Sequence, residues 1–177
     1  VQVILDVSPV IGIPQGLPVR DVIVSMNHRE AQQIINQSAK RGLGQGQRCG
    51  QAREAGLVAS LVASLLGRPV VVRAGAEGAY FARPAGAKAG VLLTAPAPTP
   101  GAAPAGALAE GPAAAPVAAS ANTGADVTYI PTPRVAAIDT NGAGDAHSGV
   151  LAAALAQAIP LERALLLANC AGALSTT

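Results

Sequence analysis

Asp139-Thr140-Asn141-Gly142-Ala143-Gly144-Asp145 stands where an extended, proline-broken run gives way to a helix, and it sets three small residues and a carboxylate at that junction. The first N–H groups of a helix lack internal partners and sit at the positive end of its dipole. Gly142, Ala143 and Gly144 therefore offer a place where an anion such as phosphate is held at close range. A carboxylate at the same helix start is placed to accept the proton of a hydroxyl that attacks a phosphoryl group, and Asp145 is that carboxylate. The plain alternative is that Asp145 caps the helix and the glycines serve a tight turn. Taken alone, Gly-Ala-Gly-Asp favours the cap.

On either side of this junction the chain alternates. Upstream, 127–130 and 135–138 are short extended runs broken by Pro131 and Pro133; downstream, a helix is expected over 146–158, then Pro160 at a helix start and a last helix ending near Leu174. Nearer the beginning, the apolar run 1–5 reads as a strand ending at Asp6, followed by a loop with Pro9, Pro14, Gly16 and Pro18 and a second strand over 21–24. Helices are expected over 29–38, where Ala31, Ile34 and Ile35 form an apolar stripe, and over 52–66, stopped by Gly67 with Pro69 just beyond. Val70-Val71-Val72 suits a strand covered on both faces, and a turn at 75–78 leads to a short strand over 79–83. Helices alternating with buried strands argue for a layered α/β domain.

Composition narrows the rest. Hydrophobic residues make up 50% of the 177 but aromatics only 2%, so the core is built from Val, Leu, Ile and Ala. The net charge is +2, and the 12 Lys and Arg are scattered without a basic run or interleaved aromatics, which argues against nucleic-acid binding. The most apolar helical stretches, 57–66 and 150–159, are far shorter than the roughly 20 residues needed to cross a bilayer, so no membrane association is expected. Cys49 and Cys170 show no C-x-x-C spacing and read as reduced thiols. The segment 84–125 collapses into Ala, Pro, Gly and Thr and reads as a flexible insertion. The glycines at 42, 44, 46 and 50 mark an exposed loop without phosphate-loop spacing. No cluster of His, Cys and carboxylates suggests a resident metal; His147 reads as structural and His28 as solvent-facing. Val1 inside an apolar run, and Thr177 with no terminal element beyond it, read as cuts within a longer protein.

The seven residues 139–145 closely resemble the D-T-x-G-A-G-D motif of ribokinase-family (PfkB-type) carbohydrate kinases, which reverses the balance at Asp145 in favour of chemistry. Asn27-His28-Arg29-Glu30 resembles the family's N-x-x-E motif, although Asn27 with Glu30 three residues on is also a capping box. Residues 71–79 resemble the family's strand and turn before the nucleotide, with Arg73 where many members have Thr.

The resemblance implies a three-layer αβα, ribokinase-like (Rossmann-like) sheet flanked by helices and incomplete at its N-terminus, with 1–177 a partial kinase domain carrying the ATP-binding half. It further implies ATP-dependent phosphorylation of a hydroxymethyl group on a sugar or sugar-like molecule, with Asp145 as catalytic base and Gly142, Ala143 and Gly144 as the anion hole. Gly75, Gly78, Arg73 and Asn169 would lie on the nucleotide side; the alternatives are an ordinary tight turn for the two glycines and a solvated helix face for Asn169. Asn27 and Glu30 would organise Mg²⁺ and its waters, and Asp139 and Thr140 would help bind a monovalent cation such as K⁺. A cytoplasmic protein, and a homodimer through a lid region upstream, go with the same resemblance. A nucleoside kinase of the same superfamily and a non-catalytic nucleotide-binding module are the rival readings.

Overall fold

The computed structural model describes residues 3–8, 22–40, 55–86, 115–116 and 125–177. Among the described residues, six strands form one sheet in the order β1-β2-β3-β4-β6-β5. They are β1 (Val3–Asp6), β2 (Val22–Asn27), β3 (Val70–Arg73), β4 (Ala79–Arg83), β5 (Ala115–Pro116) and β6 (Asp126–Ile130). The pairs β1–β2 and β2–β3 are parallel, while β3–β4, β4–β6 and β5–β6 are antiparallel. Helices α1 (His28–Lys40) and α2 (Ala55–Leu66) cover one face; α3 (Ala143–Ala156) and α4 (Leu161–Leu174) cover the other.

Side-chain alternation along the strands explains the three layers. Val22, Val24 and Met26 pack with Ile34, Ile35, Val58 and Val62 under α1 and α2, whereas Ile23 between them joins Val71, Phe81, Leu151 and Leu165 under α3 and α4. Val70, Val71 and Val72 are all fully buried, as a continuous β-branched run requires of a central strand. With so few aromatics, one pair recurs in the sheet: Tyr80 of β4 lies opposite Tyr129 of β6, ring centroids 5.3 Å apart.

Several boundaries depart from expectation. Strand β2 continues through Ser25, Met26 and Asn27 rather than stopping at Val24, and α3 begins at Ala143, three residues before Ala146. No strand forms over 135–138; that stretch is irregular and is tied instead by Ile138 N–H and Asp139 N–H donating to the Thr176 carbonyl at 2.6 and 3.1 Å. Within 84–125, read as flexible, Ala115–Pro116 pairs with Tyr129 and Thr128 as an edge strand, while Pro84, Ala85 and Gly86 continue from β4 into a turn. Residues 87–114 and 117–124 of that segment, the glycine loop after Lys40 and Cys49 lie outside the described residues, while Ala125 at its end is buried. Cys170 is a free, exposed thiol. Among the described residues, no helix is long and apolar enough to cross a membrane.

The topology brings the informative segments to one edge. β1, β2 and β3 end there at Asp6, Asn27 and Arg73, β4 begins there at Ala79 after its turn, and β6 ends there at Ile130. The carboxyl ends of parallel strands are where open α/β sheets bind ligands.

Candidate active site at the head of α3

Gly142 occupies the N-cap of α3 with φ 78°, a left-handed conformation that glycine adopts without steric penalty. No side chain caps this helix, and a Cβ built on Gly142 would meet nothing within 4 Å. The first helical bond is Ala146 N–H to the Gly142 carbonyl at 2.9 Å, so the amides of Gly144 and Asp145 lie in the turn that has no internal partners. Ala143 N–H reaches the Thr140 carbonyl only at 3.4 Å. The helix head is thus an open cluster of donors at the positive end of the dipole, with room above it for an anion.

Asp145 is the third residue of α3 and is exposed. The cap belongs to Gly142, so the capping alternative does not describe the role of Asp145 here. Asp139 closes a turn on Asn141, accepting from its N–H at 2.9 Å and from its side-chain amide at 3.4 Å. Asp139 and Thr140 are both exposed beside Gly142.

Asn27 and Glu30 form the reciprocal capping box that their spacing allows: Asn27 N–H donates to Glu30 Oε2 at 2.7 Å and Glu30 N–H to Asn27 Oδ1 at 2.9 Å. Glu30 is buried, and Asn27 pairs with Arg73 across β2 and β3 at the same sheet edge. His28 is not simply solvent-facing; its Nε2 is buried and finds no hydrogen-bond partner among the described residues. No group of three or more His, Cys, Asp or Glu able to hold a metal ion occurs among the described residues.

The turn between β3 and β4 is a short 3₁₀ segment, Gly75–Glu77, closed by Ala74 N–H donating to the Gly78 carbonyl at 2.8 Å. Its two glycines differ. Gly75 is exposed with open space around it, while Gly78 is buried with its α-carbon against the Ile130 carbonyl. Asn169 does not lie on a solvated face: it is buried, and its side-chain amide donates to the Ile130 and Pro131 carbonyls at 3.0 and 2.9 Å. It fixes the chain where β6 leaves the sheet toward the α3 head.

Arg73 is more deeply engaged than its sequence position announced. It makes a bidentate pair with Asp6, Nη1 to Oδ2 at 2.8 Å and Nη2 to Oδ1 at 3.2 Å, and Nη1 also reaches Ser25 Oγ at 3.1 Å and Ser148 Oγ at 3.0 Å. Ser148 in turn donates to Asp6. Burial alone would raise the Asp6 carboxyl, but hydrogen bonds from Arg73 and Ser148 and the Arg73 charge together hold it below the ordinary aspartate range. Asp6, Ser25 and Ser148 were not singled out by their sequence context. A signal did exist: Asp6 and Arg73 end two apolar runs with opposite charges.

His147 is buried between α3 and α4, with its Cβ 3.5 Å from where a Cβ on Gly172 would stand. Neither ring nitrogen finds a hydrogen-bond partner among the described residues. Burial, reinforced by the positive Arg73 and opposed only in part by Asp6 and Asn169, pushes its pKa down to about 4 from 6.5. The fold therefore favours the neutral ring. This stabilisation is complete above pH 6.5 and is lost as pH falls toward about 4, a gap worth about 3 kcal/mol. Urea denaturation should accordingly show wild-type stability falling between pH 7.5 and 4.5, and His147→Phe should flatten that slope. An unchanged slope in the variant would contradict the assignment to His147.

Residues 114–177 match the family described as pfkB family carbohydrate kinase. No curated protein sequence matches the chain. Among solved structures the chain is similar to ribokinase from Thermotoga maritima, at 19% identity and a TM-score of 0.59, the match covering 99% of this chain and 42% of that one. It is also similar to fructokinase from Vibrio cholerae O395 in a fructose-, ADP- and calcium-bound form, at 23% identity and a TM-score of 0.47 over 88% of this chain and 34% of that one. A third likeness is to adenosine kinase from Schistosoma mansoni in complex with 2-fluoroadenosine, at 18% identity and a TM-score of 0.47 over 87% of this chain and 34% of that one. The chain thus spans well under half the length of each of these proteins, and the first likeness gives it a ribokinase-like α/β fold.

Proposed function

We infer, from the match of residues 114–177 to the pfkB family of carbohydrate kinases, that this chain is the nucleotide-binding part of an enzyme moving the γ-phosphate of ATP onto a hydroxymethyl group of a sugar or sugar-like molecule. The observation that carries this reading is local: an exposed carboxylate, Asp145, stands in the first turn of α3 directly after an uncapped glycine head at the carboxyl edge of the sheet.

The division of labour follows from that placement. Bound ATP supplies the phosphoryl group and, with Mg²⁺, the electrophile. The amides of Gly142, Ala143 and Gly144 would face the charge on the transferring phosphate, where preorganised donors act most strongly. Asp145 would orient the acceptor alcohol and take its proton as the new P–O bond forms and the bond to the departing diphosphate breaks. Asn27 and Glu30 would bear on Mg²⁺ through its waters, since one Glu30 oxygen already holds the Asn27 amide. Gly75 would lie nearest the nucleotide, Gly78 would shape the turn behind it, and Asn169 would hold the strand exit at the border of the adenine site; the part of Arg73 is taken up below. Asp139 and Thr140, exposed beside Gly142, would serve a monovalent cation such as K⁺. A cytoplasmic enzyme, dimeric through a lid outside this chain, completes the reading.

The test is phosphate transfer by the complete protein from γ-labelled ATP with Mg²⁺ to a panel of hydroxymethyl sugars, with nucleosides in parallel. A sugar phosphomonoester is the expected product. Transfer to nucleosides alone would move the enzyme to the nucleoside-kinase class, and transfer to no acceptor would remove the kinase reading.

A further inference from the structure

We propose that the Asp6–Arg73 pair positions the head of α3, so that Arg73 acts through the helix and not by touching the nucleotide. Strand alternation sets this up. Asp6 shares the face of Ile4, Ser25 that of Ile23 and Arg73 that of Val71, so all three point toward the layer of α3 and α4 from the ends of adjacent strands. The Arg73 guanidinium spans β2 to reach Asp6 and lies directly beneath the first turn of α3. A Cβ on Gly144 would stand 3.4 Å from Nη2 and 3.5 Å from Cζ, and Nη1 lies 3.4 Å from the Gly144 carbonyl.

Ser148, one turn on, closes the ring by accepting from Arg73 and donating to Asp6. Two points of α3, the Gly144 carbonyl and the Ser148 hydroxyl, are thereby pinned to the ends of β1 and β3. The distances at Gly144 are ordinary van der Waals distances, so the guanidinium packs directly against the backbone of the first turn. Electrostatics makes the pairing necessary: a cation beneath a helix N-terminus opposes the dipole, and the Asp6 carboxylate offsets that repulsion. With side chains 14% and 28% exposed, Arg73 and Asp6 are sheltered enough from solvent that removing either leaves the other's charge poorly compensated.

The kinetic half of the test rests on the kinase reading; the structural half does not. In the complete protein, amide exchange at Ala146, His147 and Ser148 should speed up about tenfold or more in Asp6→Asn and in Arg73→Lys, which keeps the charge but loses the fork. Amides of β4 and β6 should be unchanged. Ser148→Ala, a milder variant that keeps the ion pair, should give a smaller increase at the same amides. In steady-state assays both ion-pair variants should lose about 10- to 100-fold in kcat with KM for ATP within about threefold, and the double variant should be no worse than the worse single one.

Unchanged exchange at the α3 head in all three variants would overturn the proposal. So would a raised KM for ATP with kcat retained in Arg73→Lys alone, the signature of direct nucleotide contact. If the wild-type protein transfers phosphate to no acceptor, the kinase reading falls while the exchange measurements still decide the clamp.

Discussion

Asp145→Asn in the complete protein is expected to lower kcat by about 10³-fold, the middle of the range for losing a general base, while ATP affinity stays within about threefold. The asymmetry comes from the geometry. The donors proposed to face the phosphate are backbone amides of Gly142, Ala143 and Gly144, which the substitution leaves in place. Asparagine matches aspartate in size and keeps a polar oxygen in the first turn of α3, but it has no carboxylate to receive the alcohol proton. A fall in kcat without a rise in KM for ATP marks an interaction made in the transition state and not in the ground state. Titration with ATP alongside the transfer assay separates the two. Undiminished turnover would end the role of Asp145, and an equal loss of ATP binding would make it a ligand of the nucleotide.

The second large effect is on stability. Gly78 has φ 100° and ψ −149°, a region that is essentially glycine-only, and a Cβ there would stand 2.4 Å from the Ile130 carbonyl oxygen. Backbone strain and a backbone clash add together at this position, which stands directly before the Ala79–Ile130 pairing. Gly78→Ala should therefore destabilise the chain by about 3 kcal/mol or more, a large share of the ~5–15 kcal/mol that folds a typical domain. Gly75→Ala is the control. Its φ of 61° carries only the ordinary left-handed penalty of about 1 kcal/mol, because nothing lies within 4 Å of the added carbon. Equal losses in urea denaturation would show that the clash at Ile130 is relieved by movement.

Much of this arrangement was legible in the sequence because its signals are local. Val70-Val71-Val72 announced a central strand, and the spacing of Asn27 and Glu30 announced the cap that forms. What stayed hidden depends on partners distant in sequence. Ser25 looks like the end of an apolar run, yet β2 continues through it, paired with Asp6 and Val71 on either side, and Arg73 meets its buried hydroxyl. Gly142 and Gly144 flank Ala143 and are weak helix signals, so the true start of α3 was visible only once the sheet edge supplied its anchors. Ala115–Pro116 becomes a strand solely through pairing with β6, which composition does not record. His147 reads as structural from its place beside a helix start and is buried, but no local signal shows that its two ring nitrogens meet no partner among the described residues. The candidate site itself was read as a motif, and what the fold adds is its exposure and the ion pair beneath it.

The tilted ring pair on β4 and β6 has an optical consequence. The chain contains no tryptophan and two tyrosines, and those two are the pair. Intrinsic emission therefore originates from a single locale, where a Tyr129 ring carbon lies 3.2 Å from the Cβ position of Gly78. Unlabelled protein thus carries its own spectroscopic gauge of whether the β4–β6 pairing beside the Gly75–Gly78 bend is intact, with no competing background from elsewhere in the chain.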